Sequence, residues 1–400
     1  MRVKEPIIID TDPGIDDALA IILAYLSPDV DIRAITLTHG NVGLECVKKN
    51  AAVILHALND NQRFLNLPPK RLPVLAIGAS LPLAIKPVEA TYFHGEDGLG
   101  MIYNELHKAP EDWERHLLHQ GEEEDSAIAE RRWFETTPRD AADEILYQLK
   151  QVEPLTMTIA AIGPLTNLAL AYQRDPITFS RAKRVVIMGG AVNVPGNICA
   201  YAEFNFRADP HAAQIVMGTS KGFQHTPQGY QHRLDLIQQG KVAPCHIVIM
   251  PLDGSDDGTI SKSDYEKYIL PLGKSTPLYG FVNAFMRWSF EVCLEYYNLD
   301  NWAVYDAYTV LLLLEMIQDK GDGKGDPTFN ERWDYEYLDL TVETEGQYTL
   351  GMCCVDRRDY QKDKKPWDGT ANNVQCFLAG RGGRFRDIML NTIFNARIGV

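Results

Sequence analysis

Short runs of apolar, β-branched residues alternate along the chain with longer segments in which apolar and polar residues mix at helical spacing. The first apolar run covers residues 7–9, and similar runs occupy residues 31–38, 73–78, 155–162, 184–191 and 246–252. Continuous apolar runs of this kind are typical of strands buried on both faces, and the segments between them indicate connecting helices. The alternation therefore predicts an α/β fold with an open, mostly parallel sheet flanked by helices.

The end of the chain departs from this alternation. Residues 338–342 and 349–355 have the pattern of two further strands, and residues 385–394 have the pattern of a final helix. Short strands that follow one another without long helices between them pair most simply in antiparallel fashion. We therefore expect a small C-terminal antiparallel β addition and a packing helix.

The chain has no Pro-, Gly- or Ser-rich linker that would divide it into separate folding units. This predicts a single domain over residues 1–400, long enough to bury a sizeable core. Two polar stretches interrupt the regular pattern, near residues 105–140 and 219–244. Charged and Gln-rich runs of this kind are usually solvated, so we interpret both as insertions in the domain.

Composition and charge restrict the classes of ligand and compartment. The chain carries a net charge of −15, which argues against binding the phosphate backbone of nucleic acid and favours a small, neutral or weakly charged ligand. No apolar run reaches membrane-spanning length, and the first strand begins too early for a signal peptide. The seven cysteines are scattered without a Cys-x-x-Cys pair, which is typical of a reduced, cytoplasmic protein.

The strongest chemical signal lies directly after the first strand, in Asp10-Thr11-Asp12-Pro13-Gly14-Ile15-Asp16-Asp17. The motif follows the carboxyl end of a predicted parallel strand, where open α/β sheets bind ligands. Four carboxylates within eight residues repel one another unless protons or a cation neutralise them. A hard cation that prefers oxygen ligands, Ca²⁺ or Mg²⁺, fits this donor set. The alternative is that Asp16 only caps a helix and the other three carboxylates are solvated.

Other oxygen donors follow later predicted strands. Asn41 follows the second strand, and the Gly163-Pro164 turn presents the backbone carbonyl of Ile162 at the end of another. Asp306 is a fifth candidate metal carboxylate, although it equally suits a helix cap. Because the carboxyl ends of parallel strands meet at one edge of a sheet, we expect Asn41 to face the same crevice as the opening motif.

Two further stretches offer contacts for a polar ring and an aromatic ring. Asn197, Glu203 and Asn205 combine amide and carboxylate groups, which together can satisfy sugar hydroxyls as donors and acceptors, although ordinary loop polarity explains them as well. His94 stands in a Gly-rich loop that suits the rim of a pocket. Residues 281–302 are rich in aromatic side chains, most of them expected in the core and a few available for stacking.

The segment from Asp253 to Asp264 resembles an EF-hand calcium loop in its acidic and hydroxyl residues and its Gly258. An EF-hand requires an entering helix and a Glu at the twelfth position. Here an apolar strand with Pro251 enters, and Asp264 stands last. We therefore do not expect an EF-hand.

Taken together, these motifs identify a resemblance. The chain resembles a nucleoside N-ribohydrolase of the inosine-uridine preferring type over nearly its whole length. The motifs that carry the resemblance are Asp12-Pro13-Gly14-x-Asp16-Asp17, Gly40-Asn41, His94-Gly95, Gly163-Pro164-Leu165-Thr166-Asn167, Asn197 and Glu203-Phe204-Asn205. The resemblance implies a Rossmann-like α/β domain, one bound Ca²⁺ and hydrolysis of the N-glycosidic bond of nucleosides.

The resemblance also implies a role for each matching residue. Asp12 would be the calcium-bound general base, with Asp17, the Ile162 carbonyl and Asp306 as the other protein ligands. Asp16 would bind the ribose 2′-OH. The remaining polar groups would lie beside the metal or hold the 5′-OH and 3′-OH, namely Asn41, Asn197, Glu203 and Asn205. Relatives of this type assemble as dimers or tetramers, so we expect a homodimer or homotetramer.

One position departs from the family pattern. Several members place a histidine before the last metal aspartate to protonate the leaving base, and this chain has Tyr305 there. A phenol with a pKa near 10 is a poor proton donor at neutral pH. Purine-preferring relatives have an aromatic residue at this position, so we expect Tyr305, with Trp288, Tyr296 and His94, to stack on a purine base.

Two other functions are compatible with parts of the sequence. The strand followed by Asp10-Thr11-Asp12 also resembles the nucleophile loop of a haloacid-dehalogenase-like phosphatase, but that reading gives no role to Asp16, Asp17 or the Glu203-Phe204-Asn205 element. A non-catalytic, calcium-dependent nucleoside or sugar binder is the other alternative.

Overall fold

The computed structural model describes residues 4–105, 109–117, 132–272, 276–319, 329–357, 373–380 and 383–395. Within these ranges the strands are β1 (Glu5–Thr11), β2 (Val30–Leu37), β3 (Val74–Ile77), β4 (Glu135–Thr136), β5 (Thr158–Ala161), β6 (Arg184–Met188), β7 (Ile247–Met250), β8 (Thr259–Ser261), β9 (Asn301–Ala303), β10 (Trp333–Leu338), β11 (Leu340–Val342), β12 (Cys353–Val355) and β13 (Val374–Gly380).

Nine of these strands form one central sheet in the order β10-β13-β7-β6-β5-β1-β2-β3-β4. Neighbouring strands are parallel, except that β10 pairs with β13 in antiparallel fashion at one edge. Two small antiparallel pairs, β8 with β9 and β11 with β12, lie outside the central sheet. The predicted α/β class, the mostly parallel sheet and the antiparallel C-terminal addition are confirmed.

Helices connect and cover the strands. The helices are α1 (Ile15–Leu26), α2 (Leu44–Phe64), α3 (Thr91–His94), α4 (Ile102–Glu105), α5 (Trp113–His116), α6 (Ala141–Lys150), α7 (Thr166–Arg174), α8 (Pro176–Phe179), α9 (Phe204–Ala208), α10 (Pro210–Gly218), α11 (Pro227–Gln238), α12 (Leu252–Ser255), α13 (Lys262–Asp264), α14 (Pro277–Tyr297), α15 (Tyr305–Gln318), α16 (Phe329–Arg332) and α17 (Gly383–Phe394). A π-helical turn (Tyr265–Ile269) and a 3₁₀ turn (Leu270–Leu272) follow α13.

The sheet has an apolar layer on each face. Ile7 and Ile9 of β1 pack in one layer with apolar residues of α1, α2, α14 and α15. Ile8 points the other way and packs with residues of α6, α7 and α10. All three isoleucines are buried, and each contributes on the order of 1.5–3 kcal/mol of hydrophobic free energy. Burial on both faces explains why β1 is apolar throughout rather than alternating.

Some parts of the sequence prediction differ from the structure. Strands β4, β8, β9, β10 and β13 were not predicted. β10 lies at the sheet edge, where Asp334 and Glu336 interrupt the apolar run. The first predicted insertion, residues 105–140, lies partly outside the described residues. The second, residues 219–244, contains α11, which Thr226 caps by accepting the Gly229 N–H; its status as an insertion stays a prediction.

Arg233 fixes α11 to the body of the domain. Its buried guanidinium donates to the backbone carbonyls of Ser180, Ala182 and Lys183. Across the ranges that the structure describes, no helix combines the length and apolar character needed to cross a bilayer.

Candidate active site

The opening motif folds as a strand, a turn and a helix. β1 ends at Thr11, and α1 begins at Ile15 with Gly14 as its N-cap. Asp17, at the third position of the helix, turns its side chain back to accept the Gly14 N–H at 2.9 Å. This side-chain cap satisfies a backbone donor that would otherwise be unpaired at the start of the helix.

Asp17 is held on both carboxylate oxygens. Oδ1 accepts the Thr11 hydroxyl at 2.5 Å and the Asp12 N–H at 3.3 Å. Oδ2 accepts the Asn41 side-chain amide at 2.9 Å in addition to the Gly14 N–H. Asn41 thus ties the end of β2 to the start of α1, as expected for polar groups at the ends of neighbouring parallel strands.

Asp12 lies between two backbone segments that leave no room for a side chain. Its Oδ2 accepts the Asn41 N–H at 2.7 Å. A Cβ added to Gly40 or to Gly163 would overlap the Asp12 carboxylate, so both positions require glycine for close approach rather than for backbone conformation. Oδ1 of Asp12 is buried and has no hydrogen-bond partner among the described residues. A buried, unpaired carboxylate oxygen is costly unless a ligand completes it.

Asp306 approaches the same place from the far end of the chain. It stands in the first turn of α15, a helix whose residues from Asp306 to Met316 are all buried, and α15 packs against α1. Carboxylate oxygens of Asp16, Asp17 and Asp306 lie within 4.8 Å of one another. We call Asp12, Asp16, Asp17 and Asp306 the carboxylate cluster.

The pKa values of the cluster are raised. Burial, followed by the charges of Asp16, Asp17 and Asp12, raises the pKa of Asp306 well above its usual value. Burial and the Asp17 charge raise the pKa of Asp16 to about 7, and burial and the Asp17 charge raise that of Asp12 well above its usual value. A divalent cation removes both causes, because it compensates the lost hydration and the mutual repulsion. The oxygen donors and the unpaired Asp12 Oδ1 therefore fit a hard divalent cation.

Asp10 belongs to a neighbouring network rather than to the cluster. It points to the same face of the sheet as Ile8, where its Oδ1 accepts the Thr36 hydroxyl at 2.5 Å and the Asn167 amide at 2.9 Å. The Asn167 amide also donates to the Leu37 carbonyl at 3.0 Å. Asp10 lies within β1, whereas Asp12, Asp16 and Asp17 follow the end of the strand. The network fixes the ends of β1 and β2 relative to α7.

The sugar-contact candidates converge beside the cluster. Glu203 caps α9, with Oε1 accepting the Asn205 N–H at 2.7 Å and Oε2 accepting the N–H groups of Gly190 and Phe206 at 2.9 and 3.1 Å. Burial raises the pKa of Glu203 to about 7. The Asn205 amide reaches the Ile162 carbonyl at 3.4 Å, and Asn197 accepts the Phe204 N–H at 2.9 Å.

A cavity of about 510 Å³ opens above these groups. Most of the residues singled out from the sequence line it, namely Asp16, Asn41, His94, Ile162, Asn197, Glu203, Asn205, Tyr305 and Asp306. Asp12 and Asp17 are buried and do not line the cavity, but both accept hydrogen bonds from Asn41, which does. The volume suits a small polar molecule such as a nucleoside.

His94 faces the cavity as a neutral ring. Its Nδ1 accepts the Ile15 N–H at 3.1 Å, so the ring proton sits on Nε2. Burial lowers the pKa of His94 to about 3. His94 therefore offers a neutral N–H donor and no positive charge.

Two of the predicted base contacts lie elsewhere. The Trp288 indole donates to the Phe93 carbonyl at 2.8 Å and its ring packs where a side chain at Gly100 would stand, so it supports α3, whose residues Phe93 and His94 line the cavity. Tyr296 is 60% exposed and lies outside the cavity lining. The next residue in α14, Tyr297, lines the cavity instead, because one position along a helix turns a side chain by about 100°.

The structure adds lining residues that the sequence did not single out, namely Tyr92, Asp256, Thr259, Tyr297 and Trp302. The side chains of Tyr92 and Tyr297 contact each other in the cavity lining. Burial, and then this contact, raise the pKa of Tyr92 to about 12. No local motif announces these residues, because they come from separate loops and helix ends.

Tyr305 faces the Asp256 carboxylate. Burial, and then the charge of Asp256 and hydrogen bonding to it, raise the pKa of Tyr305 well above its usual value. Of these two groups only the phenol has a proton to donate, and the interaction correspondingly lowers the pKa of Asp256 against a larger rise from burial. Tyr305 is therefore held as a neutral phenol and is unsuited to release its proton to a leaving group.

Comparisons with known proteins identify the family to which the chain belongs. The family model for inosine-uridine preferring nucleoside hydrolases matches residues 7–385. The pyrimidine-specific ribonucleoside hydrolase RihA of Shigella boydii is 30% identical over 369 residues, covering 90% of this chain and 91% of RihA. The non-specific ribonucleoside hydrolase RihC of Escherichia coli is 35% identical over 247 residues, covering 62% and 66% of the two chains.

Solved structures with a similar fold are also nucleoside hydrolases. A solved purine-preferring ribonucleoside hydrolase from Gardnerella vaginalis superimposes with a TM-score of 0.70 at 20% identity, covering 98% of this chain and 99% of that one. Because the family model spans nearly the whole sequence, the match includes both ends of the carboxylate cluster. The chain belongs to the inosine-uridine preferring nucleoside hydrolase family, whose members are hydrolases of the N-glycosidic bond of ribonucleosides.

Proposed function

We propose that the protein hydrolyses ribonucleosides, and purine nucleosides in preference, to free base and ribose, with Ca²⁺ as its metal and Asp12 as general base. The observation that carries this proposal is the buried carboxylate cluster, in which Asp12 has one unpaired oxygen and Asp16 and Asp306 line a cavity of about 510 Å³. Family membership supports the reaction class and leaves the haloacid-dehalogenase-like phosphatase alternative without support.

The metal would be held by Asp12, Asp17, Asp306 and the Ile162 carbonyl, with Asp16 close enough to contribute. Carboxylate and carbonyl oxygens, without nitrogen or sulfur donors, favour calcium over transition metals. When bound, Ca²⁺ would supply charge that lowers the pKa of a reacting water and keeps the carboxylates ionised.

The chain's own groups account for the orientation of the sugar. Glu203 Oε1 accepts one backbone N–H and keeps a lone pair for a ribose hydroxyl. Asp16, Asn41, Asn197 and Asn205 also line the cavity, so it offers both donors and acceptors to the ribose hydroxyls. Such positioning converts the attack of water on C1′ into an effectively intramolecular step.

The proton and charge transfers follow from the site. Asp12 takes a proton from the attacking water as the bond from C1′ to the base nitrogen breaks and the ribose becomes oxocarbenium-like. The leaving base sits toward Tyr305 and Tyr297, where stacking favours the larger purine ring. Tyr305 keeps its proton, so the neutral Nε2–H of His94 is the group that we expect to donate a hydrogen bond to the leaving base.

A metal-content measurement followed by a nucleoside panel tests the proposal. We expect the pure protein to contain about one calcium per chain and to release reducing sugar from inosine and adenosine faster than from uridine. Calcium binding without sugar release from any nucleoside would identify the non-catalytic binder instead. Hydrolysis of p-nitrophenyl phosphate serves as the phosphatase control, and we expect none.

Three further expectations from the sequence stay predictions. We expect a homodimer or homotetramer, a cytoplasmic location and no binding of nucleic acid, the last because the net charge is −15. Light scattering of the purified protein would decide the number of subunits.

A further inference from the structure

The acidic segment between Asp253 and Asp257 contains three carboxylates, and only two of them fix loops through backbone N–H groups. Asp253 accepts the N–H groups of Val192 and Asn193 at 2.9 and 2.8 Å. Asp257 accepts the Gly380 N–H at 2.8 Å. Both therefore fix loops, which explains part of the apparent EF-hand pattern without a metal. Asp256 instead lines the active-site cavity.

Asp256 lines the cavity together with Thr259 and Tyr305. The Tyr305 hydroxyl donates a hydrogen bond to the Asp256 carboxylate, because only the phenol has a proton to give. Asp256 therefore presents a carboxylate to the cavity beside Tyr305, the residue against which the proposed function places the base.

The position of Asp256 relative to a bound nucleoside rests on the proposed function. With the ribose held by Glu203, Asn205 and the cluster, the base extends to the remaining part of the cavity, where Tyr305, Tyr297 and Asp256 lie. The edge of the base then meets a charged acceptor. An exocyclic amino group donates to such an acceptor, whereas an exocyclic oxygen presents its own lone pairs to it.

We propose that Asp256 is a specificity-determining residue, which favours nucleosides whose base carries an exocyclic amino group over the matching nucleosides with an oxo group. Adenosine and inosine form one matched pair, and cytidine and uridine form the other. Because Asp256 is exposed to solvent at the cavity, we expect a moderate preference, about three- to tenfold in kcat/KM, rather than the larger factors of fully buried polar sites.

The experiment compares ratios within each matched pair. The kcat/KM ratios of adenosine to inosine and of cytidine to uridine are measured for the wild-type enzyme and for Asp256→Asn. Intrinsic differences in leaving-group stability cancel when the ratio of the variant is divided by that of the wild type. We expect Asp256→Asn to lower both ratios by about three- to tenfold, because a neutral amide accepts less strongly and can also donate to an oxo group.

Two further variants distinguish recognition from indirect effects. Asp257→Asn changes the neighbouring carboxylate, which does not line the cavity, and we expect unchanged ratios. Tyr305→Phe removes the phenol proton but leaves the Asp256 carboxylate, so we expect the amino preference to persist even if activity falls. Thermal melts of all variants establish that they are folded.

The outcomes separate this inference from the proposed function. The role of Asp256 is overturned if the amino-to-oxo ratios of kcat/KM for Asp256→Asn stay within twofold of wild type. An equal fall in kcat/KM for all four nucleosides would be one such result. If the wild-type enzyme hydrolyses none of them, the proposed function fails, and calorimetric binding of the same pairs then supports or overturns the selection by Asp256.

Discussion

The two ends of the active-site cavity are built in different ways. At the metal end, Asp12, Asp17 and Asn41 are buried and joined by hydrogen bonds to backbone groups. At the base end, Tyr92 and Tyr297 are 40% and 48% exposed and meet each other mainly through side chains. The comparison indicates that the chemical step is fixed by the framework, whereas the choice of base depends on side chains that substitutions can change with little effect on the fold.

The largest expected difference between the two ends comes from Asp12→Asn. The substitution keeps the shape and the hydrogen bond from Asn41 but removes the base, so we expect kcat to fall by about 10²–10⁴-fold. Steady-state kinetics with inosine measure the loss, and a thermal melt with nucleoside-binding calorimetry serves as the control for folding. A fall of less than tenfold would mean that another group takes the proton.

Melting experiments with and without calcium test whether stability changes with pH in the direction that the raised pKa of Asp16 requires. In the metal-free protein, burial and charge raise the pKa of Asp16 to about 7, so the folded state binds a proton more tightly than the unfolded chain. Stability of the metal-free protein therefore decreases as pH rises from about 4 to about 7 and stays low above that range.

Calcium requires the ionised carboxylates and reverses this loss. At a calcium concentration of about 100 times Kd, we expect a stabilisation of about 2.7 kcal/mol, seen as a rise of a few degrees in Tm. The rise is expected to be larger at pH 8 than at pH 5, as measured by melts with EGTA and with calcium at both values. Equal rises at both values would exclude the coupling.

Glu203→Gln tests how far the framework extends around the ribose. The glutamine side chain has one acceptor atom, so at least one of the N–H groups of Gly190, Asn205 and Phe206 loses its partner. We expect a loss of about 1–3 kcal/mol in the free energy of unfolding, measured by urea denaturation. The exposed Glu45, as Glu45→Gln, is the control and is expected to change stability by less than about 0.5 kcal/mol. Similar values for the two variants would contradict the capping role.

The smallest effect belongs to the base end and uses two adjacent tyrosines. Tyr297→Ala removes a ring that lines the cavity, and we expect kcat/KM to fall about tenfold through lost stacking. Tyr296→Ala removes a ring outside the lining, and we expect a change of less than about twofold. Kinetics with adenosine decide between them, and the reverse order would restore the assignment made from sequence.

The same contrast explains what the sequence could predict. The motif from Asp10 to Asp17 is local, because a strand, a turn and a helix start within a few residues place its carboxylates. Parallel strand order then brings Asn41 and the Ile162 carbonyl to the same edge. Each of these positions follows from pattern and topology, so the predicted residues lie together in the structure.

The base end could not be predicted in this way. Trp288 and Tyr296 were chosen for their residue type, but their directions depend on the rotation of α14 and on the loop that contains Phe93. Asp256 and Tyr297 belong to segments that meet only in the folded protein. The role of a residue type in a helix is decided by its phase and its neighbours, and neither is encoded locally.

The carboxylate cluster also has a consequence for biosynthesis. Two of its members begin α1, and Asp306 begins a helix in the final quarter of the chain, against which α1 packs. Under the proposed function, a nascent polypeptide that has emerged only as far as α14 lacks this donor. Ion capture would then follow the synthesis of α15, and the ion would join segments that lie far apart in the chain.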